Sequence, residues 1–295
     1  MLNNRQRALV LGGGGFMASS WITGLITGMA EGGIDVRDAD LLIGTSSGAR
    51  VALQLASGTP LEEVFARQIG AGGHMGRQSL GTAPHVGPQS GALDRDQLQR
   101  EVARAKELGG DRAEILRRYG QLALTFAGPE RQAQGTTQLP MEDWPERRIQ
   151  LIALNAETGV RRAFDRASGI TLMDAVMATT ASFGAAPVWF EGQPYIDGGY
   201  YSSDNADLAA ECGRVLVLAI KAPSWALRLV SVEDGIAELR ASGAEVELIQ
   251  PDDEAMEVIT SAGSPMNPAV FEPVTRAGRA QGLRVVAQRG KAGFW

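Results

Sequence analysis

Short apolar runs alternate with longer segments of helical character through the first 58 residues of the chain. The runs at 8–11 and 41–43 have the length and composition of buried strands. Glycine follows each run, and helices are predicted at 16–30 and 51–56, the first ending at Gly32-Gly33. Two successive strand–helix units predict a mainly parallel sheet with helices on both faces.

The second half of the chain resumes this pattern. Its predicted strands are 149–154, 160–164, 215–220 and 246–249, and its predicted helices are 171–182, 232–241 and 268–288. The first two strands are expected to pair through a turn at 157–159, and Thr171 is the expected N-cap of the first helix. The chain as a whole is therefore assigned to the α/β class.

The middle of the chain, at about 60–148, breaks the pattern. Residues 70–91 combine many glycines with proline, serine, glutamine and histidine, and they predict a loop. Polar helices are predicted at 93–108 and 111–127. We interpret 60–148 as an insertion over the active edge of a single domain spanning 1–295, and we expect the loop to form part of a lid.

Composition narrows the range of functions without selecting one. The net charge is −6 with no block of like charge, which argues against a nucleic-acid partner. Cys212 is the single cysteine, so no internal disulfide can form and a reducing compartment is expected. The N-terminal apolar run is too short for a signal-peptide core, and no segment reaches the length of a membrane span. The expected location is cytoplasmic.

The segment Gly44-Thr45-Ser46-Ser47-Gly48 carries the strongest chemical signal. It fits G-x-S-x-G and lies between a predicted strand and a predicted helix, which is the context that a nucleophile elbow requires. In such an elbow the tight turn strains the backbone of the central serine and presents its hydroxyl beside the helix N-terminus. Ser46 is therefore the candidate nucleophile, since Ser47 falls in the variable slot.

A serine nucleophile needs a base, and here the choice lies between histidine and a carboxylate. The two histidines, His74 and His85, lie in the irregular segment and are more typical of exposed loop residues. Asp197 follows a short apolar segment and precedes Gly198-Gly199, which allow close backbone approach at a strand end. Taken alone, Asp197 is more typical of an ordinary Asp-Gly turn. If Ser46 is catalytic, a carboxylate is the expected base.

The four glycines from Gly12 to Gly15 lie between a strand and a helix, where successive N–H groups form an anion site. A dinucleotide-binding loop is one interpretation, but Met17 occupies the place of the third glycine in G-x-G-x-x-G. An oxyanion hole is the other interpretation, because it needs the same backbone donors aimed at an acyl oxygen.

Taken together, these three elements resemble the patatin-like phospholipase family. The resemblance rests on the order and spacing of the segments 9–15, 44–48 and 197–199, and on Asn205-Ala206-Asp207-Leu208-Ala209 after the last of them. The matching regions are about 8–58 and 149–220. In the family the glycine run is usually followed by a basic residue and another glycine, where this chain has Met17 and Ala18.

The resemblance implies a three-layer α/β/α sandwich with a mainly parallel sheet and a Ser–Asp dyad. By that resemblance Ser46 is the nucleophile and Asp197 activates it. The remaining implied site residues are the oxyanion-hole glycines Gly13, Gly14 and Gly15 and the motif glycines Gly44, Gly48, Gly198 and Gly199.

The expected activity is lipid acyl hydrolysis (phospholipase, lysophospholipase or esterase) through an acyl-enzyme intermediate, with no cofactor and no metal. The expected partner is a lipid or acyl-ester substrate, and the lid would gate long acyl chains. Two alternatives stay open: a thioesterase or acyltransferase with the same dyad, and a non-catalytic lipid-binding protein. Transient membrane-surface contact also stays open as a possible partner interaction. The aromatic residues do not indicate it, because Phe16, Trp21 and the Trp189-Phe190 pair are more typical of a core than of membrane anchors.

Overall fold

One mixed sheet forms the centre of the molecule. The computed structural model describes residues 3–80, 100–101, 103–105, 107–125, 127, 139–182, 184–221, 228–263, 267–289 and 295. The strands are β1 (Asn3–Leu11), β2 (Leu41–Thr45), β3 (Arg148–Asn155), β4 (Arg161–Phe164), β5 (Val188–Phe190), β6 (Gln193–Asp197), β7 (Cys212–Leu218) and β8 (Glu245–Ile249). Their order is β5-β6-β3-β2-β1-β7-β8, with β4 also paired to β3.

The strands β3, β2, β1, β7 and β8 run parallel, and β4, β5 and β6 add antiparallel pairings beside β3. This arrangement confirms the prediction of a mainly parallel sheet. Because the carboxyl ends of parallel strands meet at one edge, residues just after β1, β2 and β7 are brought together. That edge is called the active edge below.

Helices cover both faces of the sheet. They are α1 (Gly15–Gly32), α2 (Ser47–Ala56), α3 (Leu61–Leu80), α4 (Arg112–Thr125), α5 (Leu172–Thr179), α6 (Val232–Ala241), α7 (Asp253–Ser261) and α8 (Phe271–Arg289). Alternate residues of β1 show the layers: Leu9 and Leu11 pack in one core with α1, α2 and α8, and Ala8 and Val10 in another with α6. The three-layer prediction is confirmed.

Helices α1 and α8 pack with unusually small separation because glycine lines their contact. A Cβ placed on Gly24 or Gly28 of α1 would overlap the carbonyl oxygens of Thr275 and Arg279 of α8. Conversely, a Cβ on Gly282 would overlap the Leu25 carbonyl oxygen. The same helix pair buries a hydrogen bond from Trp21 Nε1 to Gln281 Oε1 at 2.7 Å. Both helices were predicted, but their pairing was not.

The insertion differs from its prediction in one part. Residues 70–80 continue α3 instead of forming a loop, and 81–91 lie outside the described residues. The earlier part of α3 belongs to the helical layer, since buried Gln68 donates from Nε2 to Ser20 Oγ of α1 at 3.1 Å. Helix α4 was predicted within 111–127, and its Tyr119 packs with Leu154 and Ile196 beside the active edge. A lid role for the insertion stays a prediction.

Two helices differ from what the sequence predicted. The helix predicted at 171–182 ends at Thr179, and its N-cap Thr171 accepts a hydrogen bond from the Asp174 N–H as predicted. Helix α7 was missed, although Asp252 caps it by accepting from the Ala255 N–H. Of its residues, only Ala255 and Ile259 are buried, so its apolar periodicity is weak.

Aromatic and cysteine side chains divide between the core and the surface. Trp21 is fully buried, as expected, but Trp189 on β5 is 60% exposed, so the expectation of a core position for it is wrong. Cys212 is buried at the start of β7, and burial raises the pKa of its thiol to about 11, which favours the inert thiol. Within the described residues, no helix has both the length and the apolar character needed to cross a membrane.

Candidate active site

Ser46 occupies a strained turn between a strand and a helix. Strand β2 ends at Thr45 and helix α2 begins at Ser47, so Ser46 is the single residue between them. Its φ of 54° and ψ of −122° fall in a region that residues other than glycine rarely adopt. Such backbone strain costs roughly 1–3 kcal/mol and is concentrated at functional sites. Ser46 is partly exposed, whereas its neighbours Thr45 and Ser47 are buried.

The glycines on both sides of Ser46 permit this turn. A Cβ on Gly44 would lie 2.5 Å from the Ala49 Cα, and one on Gly48 would overlap the Leu11 carbonyl oxygen. Both contacts would be closer than van der Waals distance, so only glycine lets α2 begin this close to β1 and β2. The G-x-S-x-G spacing therefore has a steric cause in this structure.

Thr179, at the C-terminal end of α5, holds the elbow from the other side. The Ser46 N–H donates to Thr179 Oγ1 at 2.9 Å, and Thr179 Oγ1 donates to the Ile152 carbonyl oxygen at 2.6 Å. The threonine side chain is fully buried. A buried hydroxyl with both a donor and an acceptor partner fixes the backbone that it contacts. Sequence reasoning missed Thr179, because nothing in a helical Thr-Thr pair indicates which tertiary partner it meets.

The glycine loop after β1 lies directly against Ser46. A Cβ on Gly13 would be 2.9 Å from the Ser46 Cβ, so no side chain fits between loop and nucleophile. Gly14 has a φ of 146° and Gly15 a φ of 66°, both left-handed values that favour glycine. Gly14 is the N-cap of α1 and Gly15 its first residue, so their N–H groups belong to the helix N-terminus.

The three glycine amides are not equivalent. The Gly13 N–H donates to the Ser203 carbonyl oxygen at 2.7 Å, and the Gly12 N–H donates to the Leu218 carbonyl oxygen at 2.9 Å. The Gly13 hydrogen therefore already has an acceptor in this structure, and the oxyanion role of Gly13 stays a prediction. Among the described residues, the N–H groups of Gly14 and Gly15 have no protein acceptor, and both glycines are partly exposed.

Asp197 is the last residue of β6 and is 7% exposed. Its Oδ1 accepts a hydrogen bond from the Gly199 N–H at 2.8 Å, so the carboxylate caps the turn that follows. A Cβ on Gly198 would lie 2.5 Å from the Ile152 carbonyl oxygen, which explains a glycine there. The predicted Asp-Gly turn is thus present, and it is packed directly onto β3.

Sheet register brings Ser46 and Asp197 to the same edge. Thr45, immediately before Ser46, pairs with Ile152 of β3, and Asp197 pairs with the next residue of β3, Ala153. Gly13 reaches the same place from the carboxyl end of β1. A partly exposed serine, a buried aspartate and two partly exposed glycines therefore converge from three different strands.

A second polar cluster lies behind the glycine loop. Asp204 is fully buried, and its Oδ2 accepts hydrogen bonds from Ser202 Oγ at 3.1 Å and Ser203 Oγ at 3.2 Å. Arg228 Nη1 donates to the same Ser203 Oγ at 3.1 Å. Burial raises the pKa of Asp204 and lowers the pKa of Arg228 from their ordinary values.

The structure describes most of the other residues that the sequence singled out. Asp207 forms an ion pair with Arg161 at 2.5 Å. His74 lies in helix α3, and His85 lies outside the described residues. Met17 and Ala18, which replace the basic residue and glycine usual in the resembled family, are buried on α1. No cluster of three or more metal-ligating side chains occurs in the part of the chain that the structure describes.

Known proteins support the class that this geometry defines. The arrangement is that of an α/β protein with a strand–serine–helix elbow beside a glycine-rich loop. A family model described as patatin-like phospholipase matches residues 9–210, which is more than half of the chain. The chain belongs to the patatin-like phospholipase family, as the resemblance predicted.

Solved structures give more distant likenesses. The chain is 13% identical to VipD from Legionella pneumophila, with a TM-score of 0.38. The match covers 86% of this chain and 53% of VipD. The chain is also 13% identical to ExoU, in the complex of full-length SpcU with full-length ExoU from the type III secretion system of Pseudomonas aeruginosa. There the TM-score is 0.37, and the match covers 97% of this chain and 53% of that one. The chain thus spans about half the length of these proteins. No curated protein matches the sequence.

Proposed function

We propose that this chain is a lipid acyl hydrolase in which Ser46 is the nucleophile and Asp197 the base. The observation that carries the proposal is the strained backbone of Ser46 at the edge where Asp197 and the glycine loop also end. Strain at a single serine between a strand and a helix has no evident value for stability, and it is a feature of nucleophile elbows. Membership of the patatin-like phospholipase family supplies the substrate class, an ester of a fatty acid.

The reaction proceeds in two halves. Ser46 Oγ attacks the acyl carbonyl carbon while its proton passes to the Asp197 carboxylate, and the tetrahedral oxyanion forms. The carbon–oxygen bond to the alcohol then breaks, and Asp197 returns the proton to the leaving alcohol oxygen. In the second half, water attacks the acyl-enzyme, Asp197 takes the water proton, and Ser46 recovers it as the free acid leaves.

The N–H groups of Gly14 and Gly15 are the oxyanion donors in this proposal. They lie at the N-terminus of α1, where the helix dipole adds partial positive charge. Their left-handed φ values aim the backbone in a way that residues with a side chain rarely allow. A carboxylate is a weak base at neutral pH, so these donors must supply much of the rate. Loss of one such donor typically lowers turnover by about 10²–10³-fold.

Hydrolysis assays of the purified chain test the proposal. The substrates are a short p-nitrophenyl ester, phosphatidylcholine vesicles and an acyl-CoA, each assayed with and without an alcohol acceptor. We expect ester hydrolysis by the wild-type chain and a loss of more than about 10³-fold in Ser46→Ala. Ser47→Ala is the matched control, because it removes the neighbouring hydroxyl and keeps every backbone donor.

The outcomes separate the candidate functions. Ester hydrolysis that Ser46→Ala abolishes supports the proposal. Turnover confined to acyl-CoA, or acyl transfer that depends on the alcohol, would favour the thioesterase or acyltransferase. Lipid binding without turnover would favour a binding protein. Full activity in Ser46→Ala would contradict the nucleophile assignment.

A further inference from the structure

The buried side chain of Asn205 connects the nucleophile elbow to the turn that carries Asp197. Its Nδ2 donates to Thr45 Oγ1 at 3.0 Å and to the Ser202 carbonyl oxygen at 2.8 Å. The same nitrogen lies 3.4 Å from the Gly198 carbonyl oxygen. Thr45 immediately precedes Ser46, and Gly198 immediately follows Asp197. One amide group therefore contacts the residue next to each member of the proposed dyad.

The orientation of this amide is fixed by its other end. Arg161 Nη1 donates to Asn205 Oδ1 at 3.0 Å. Arginine has no acceptor, so the amide oxygen must face Arg161 and the NH₂ group must face the dyad. Arg161 is itself held by Asp207 through bonds of 2.8 Å and 2.5 Å, and its guanidinium lies 3.5 Å from the centre of the Tyr201 ring.

The backbone of Asn205 also departs from ordinary geometry. Its φ of 56° and ψ of 38° are left-handed, and the residue is fully buried. Asparagine tolerates this region better than other residues with a side chain. The fold thus keeps a strained, buried polar residue where glycine would satisfy the backbone, which indicates that the side chain has a use.

We propose that Asn205 is a positioning residue that sets the distance between Ser46 and Asp197. The inference rests on the proposed function, because it assigns Asn205 to the geometry of that dyad. Proton transfer from Ser46 Oγ to the carboxylate requires a hydrogen-bonding separation, and catalytic groups must be held to within about 0.5 Å. Asn205 makes no contribution to binding the acyl chain in this proposal, so turnover should depend on it more than substrate affinity does.

The test compares Asn205→Gly with Asn155→Ala. Glycine keeps the left-handed backbone, so the loss in stability should come only from the missing side chain and its buried hydrogen bonds. Asn155 is also buried at the end of β3, where it donates to Gln193 Oε1 and accepts from the Glu157 and Thr158 N–H groups. It contacts neither Thr45 nor Gly198 through these bonds, so it controls for the loss of a buried amide.

We expect Asn205→Gly to lower kcat by about 30–100-fold with KM changed less than about threefold, since a misplacement of about 1 Å can cost 10²-fold. Asn155→Ala should lower the melting temperature and leave kcat within about threefold, because its bonds hold a turn and not the dyad. Two variants of the acceptor residue Thr45 test the same contact. Thr45→Ser keeps the hydroxyl and should keep the wild-type kcat, whereas Thr45→Val removes the hydroxyl and should lower kcat. All kinetics are measured well below each melting temperature.

Crystal structures of the wild type and Asn205→Gly give a readout that does not depend on activity. The Gly198 turn should move relative to Thr45 by more than about 0.5 Å. Unchanged geometry, or a kcat for Asn205→Gly equal to that of Asn155→Ala, would overturn the positioning role. If Ser46→Ala also retained activity, the proposed function would fail as well. If Ser46→Ala were inactive while Asn205→Gly was not, only the present inference would fail.

Discussion

The active edge and the α1–α8 helix pair both depend on glycine, but glycine has a different physical role in each. At the active edge, Gly14 and Gly15 adopt left-handed φ values and leave their N–H groups without a protein acceptor among the described residues. In the helix pair, Gly24, Gly28 and Gly282 are helical, and what matters is the missing Cβ, which lets two backbones touch. In the proposed function the first use serves chemistry, whereas the second serves packing.

This difference predicts which quantity, turnover or stability, a substitution in each region should change. Changes at the active edge should lower turnover with little effect on stability, because Ser46 and the two glycines are partly exposed and a conservative change at Asp197 can keep its bond to Gly199. Changes in the helix pair should lower stability with little effect on the turnover of folded protein. Each variant below is therefore measured for both quantities, kcat and the free energy of unfolding.

The largest effect is expected for Asp197→Asn. The amide cannot accept the Ser46 proton, so turnover should fall by about 10³-fold or more. The side-chain oxygen can still accept from the Gly199 N–H, so the fold should persist. The control is Asp234→Asn, which alters an exposed acidic residue in the first turn of α6 and should leave kcat unchanged. Near-normal turnover in Asp197→Asn would remove Asp197 from the mechanism.

Gly28→Ala should lower the free energy of unfolding and leave the turnover of the folded protein nearly unchanged. Its Cβ would overlap the Arg279 carbonyl oxygen, so the helices must separate, and overpacking of this kind costs about 1–3 kcal/mol. The gain in helix propensity, about 1 kcal/mol, offsets only part of this. Gly70→Ala is the matched control, because a Cβ there meets nothing within 4 Å and should stabilise α3 slightly. Chemical denaturation measures the free energy of unfolding of both variants. Equal stability of the two would mean that the close helix contact is unimportant.

The sequence indicated the first region far better than the second. The elbow, the Asp-Gly turn and most strands could be predicted because their signals are local: a glycine beside an apolar run, or Asp before Gly-Gly. The partners Thr179, Asn205 and Ser203 could not, since each acts through a contact between segments distant in sequence. The bond that occupies the Gly13 N–H comes from Ser203, 190 positions away, and no local pattern announces it.

Interior glycines of helices were the hardest to interpret. They lower helix propensity wherever they occur, so a segment such as 70–80 predicts a loop although it is helical. Gly24 and Gly28 look the same in sequence, and only the structure shows that α8 packs against them. The pattern of apolar residues likewise failed to predict helix α7, because few of its positions are buried.

A substitution at Asp204 should have a smaller effect on stability, and that effect should depend on pH. Burial raises its pKa, so the folded state keeps the proton to higher pH than the unfolded state does. Its contribution to stability is therefore complete below the unfolded pKa and is lost as pH rises through the folded pKa. Relative to the wild type, Asp204→Asn should gain stability as pH rises from about 4, the unfolded pKa of aspartate. Unfolding free energies measured across pH check this, and a constant difference would contradict it.

The smallest effect is expected for the double variant His74→Gln/His85→Gln. The proposed mechanism routes the proton through Asp197, so turnover should stay within about tenfold of the wild type, whereas loss of a general base usually costs 10²-fold or more. Circular dichroism verifies folding. A collapse of turnover in a folded double variant would restore a histidine as the base.

Covalent labelling tests the central claim, that Ser46 is an activated nucleophile, most directly. The wild-type chain is treated with a fluorophosphonate, digested, and the adduct is located by mass spectrometry. We expect one stoichiometric adduct on Ser46, no adduct in Ser46→Ala, and normal labelling in Ser47→Ala. An adduct on another residue, or unmodified Ser46 in a chain that still hydrolyses esters, would contradict the account.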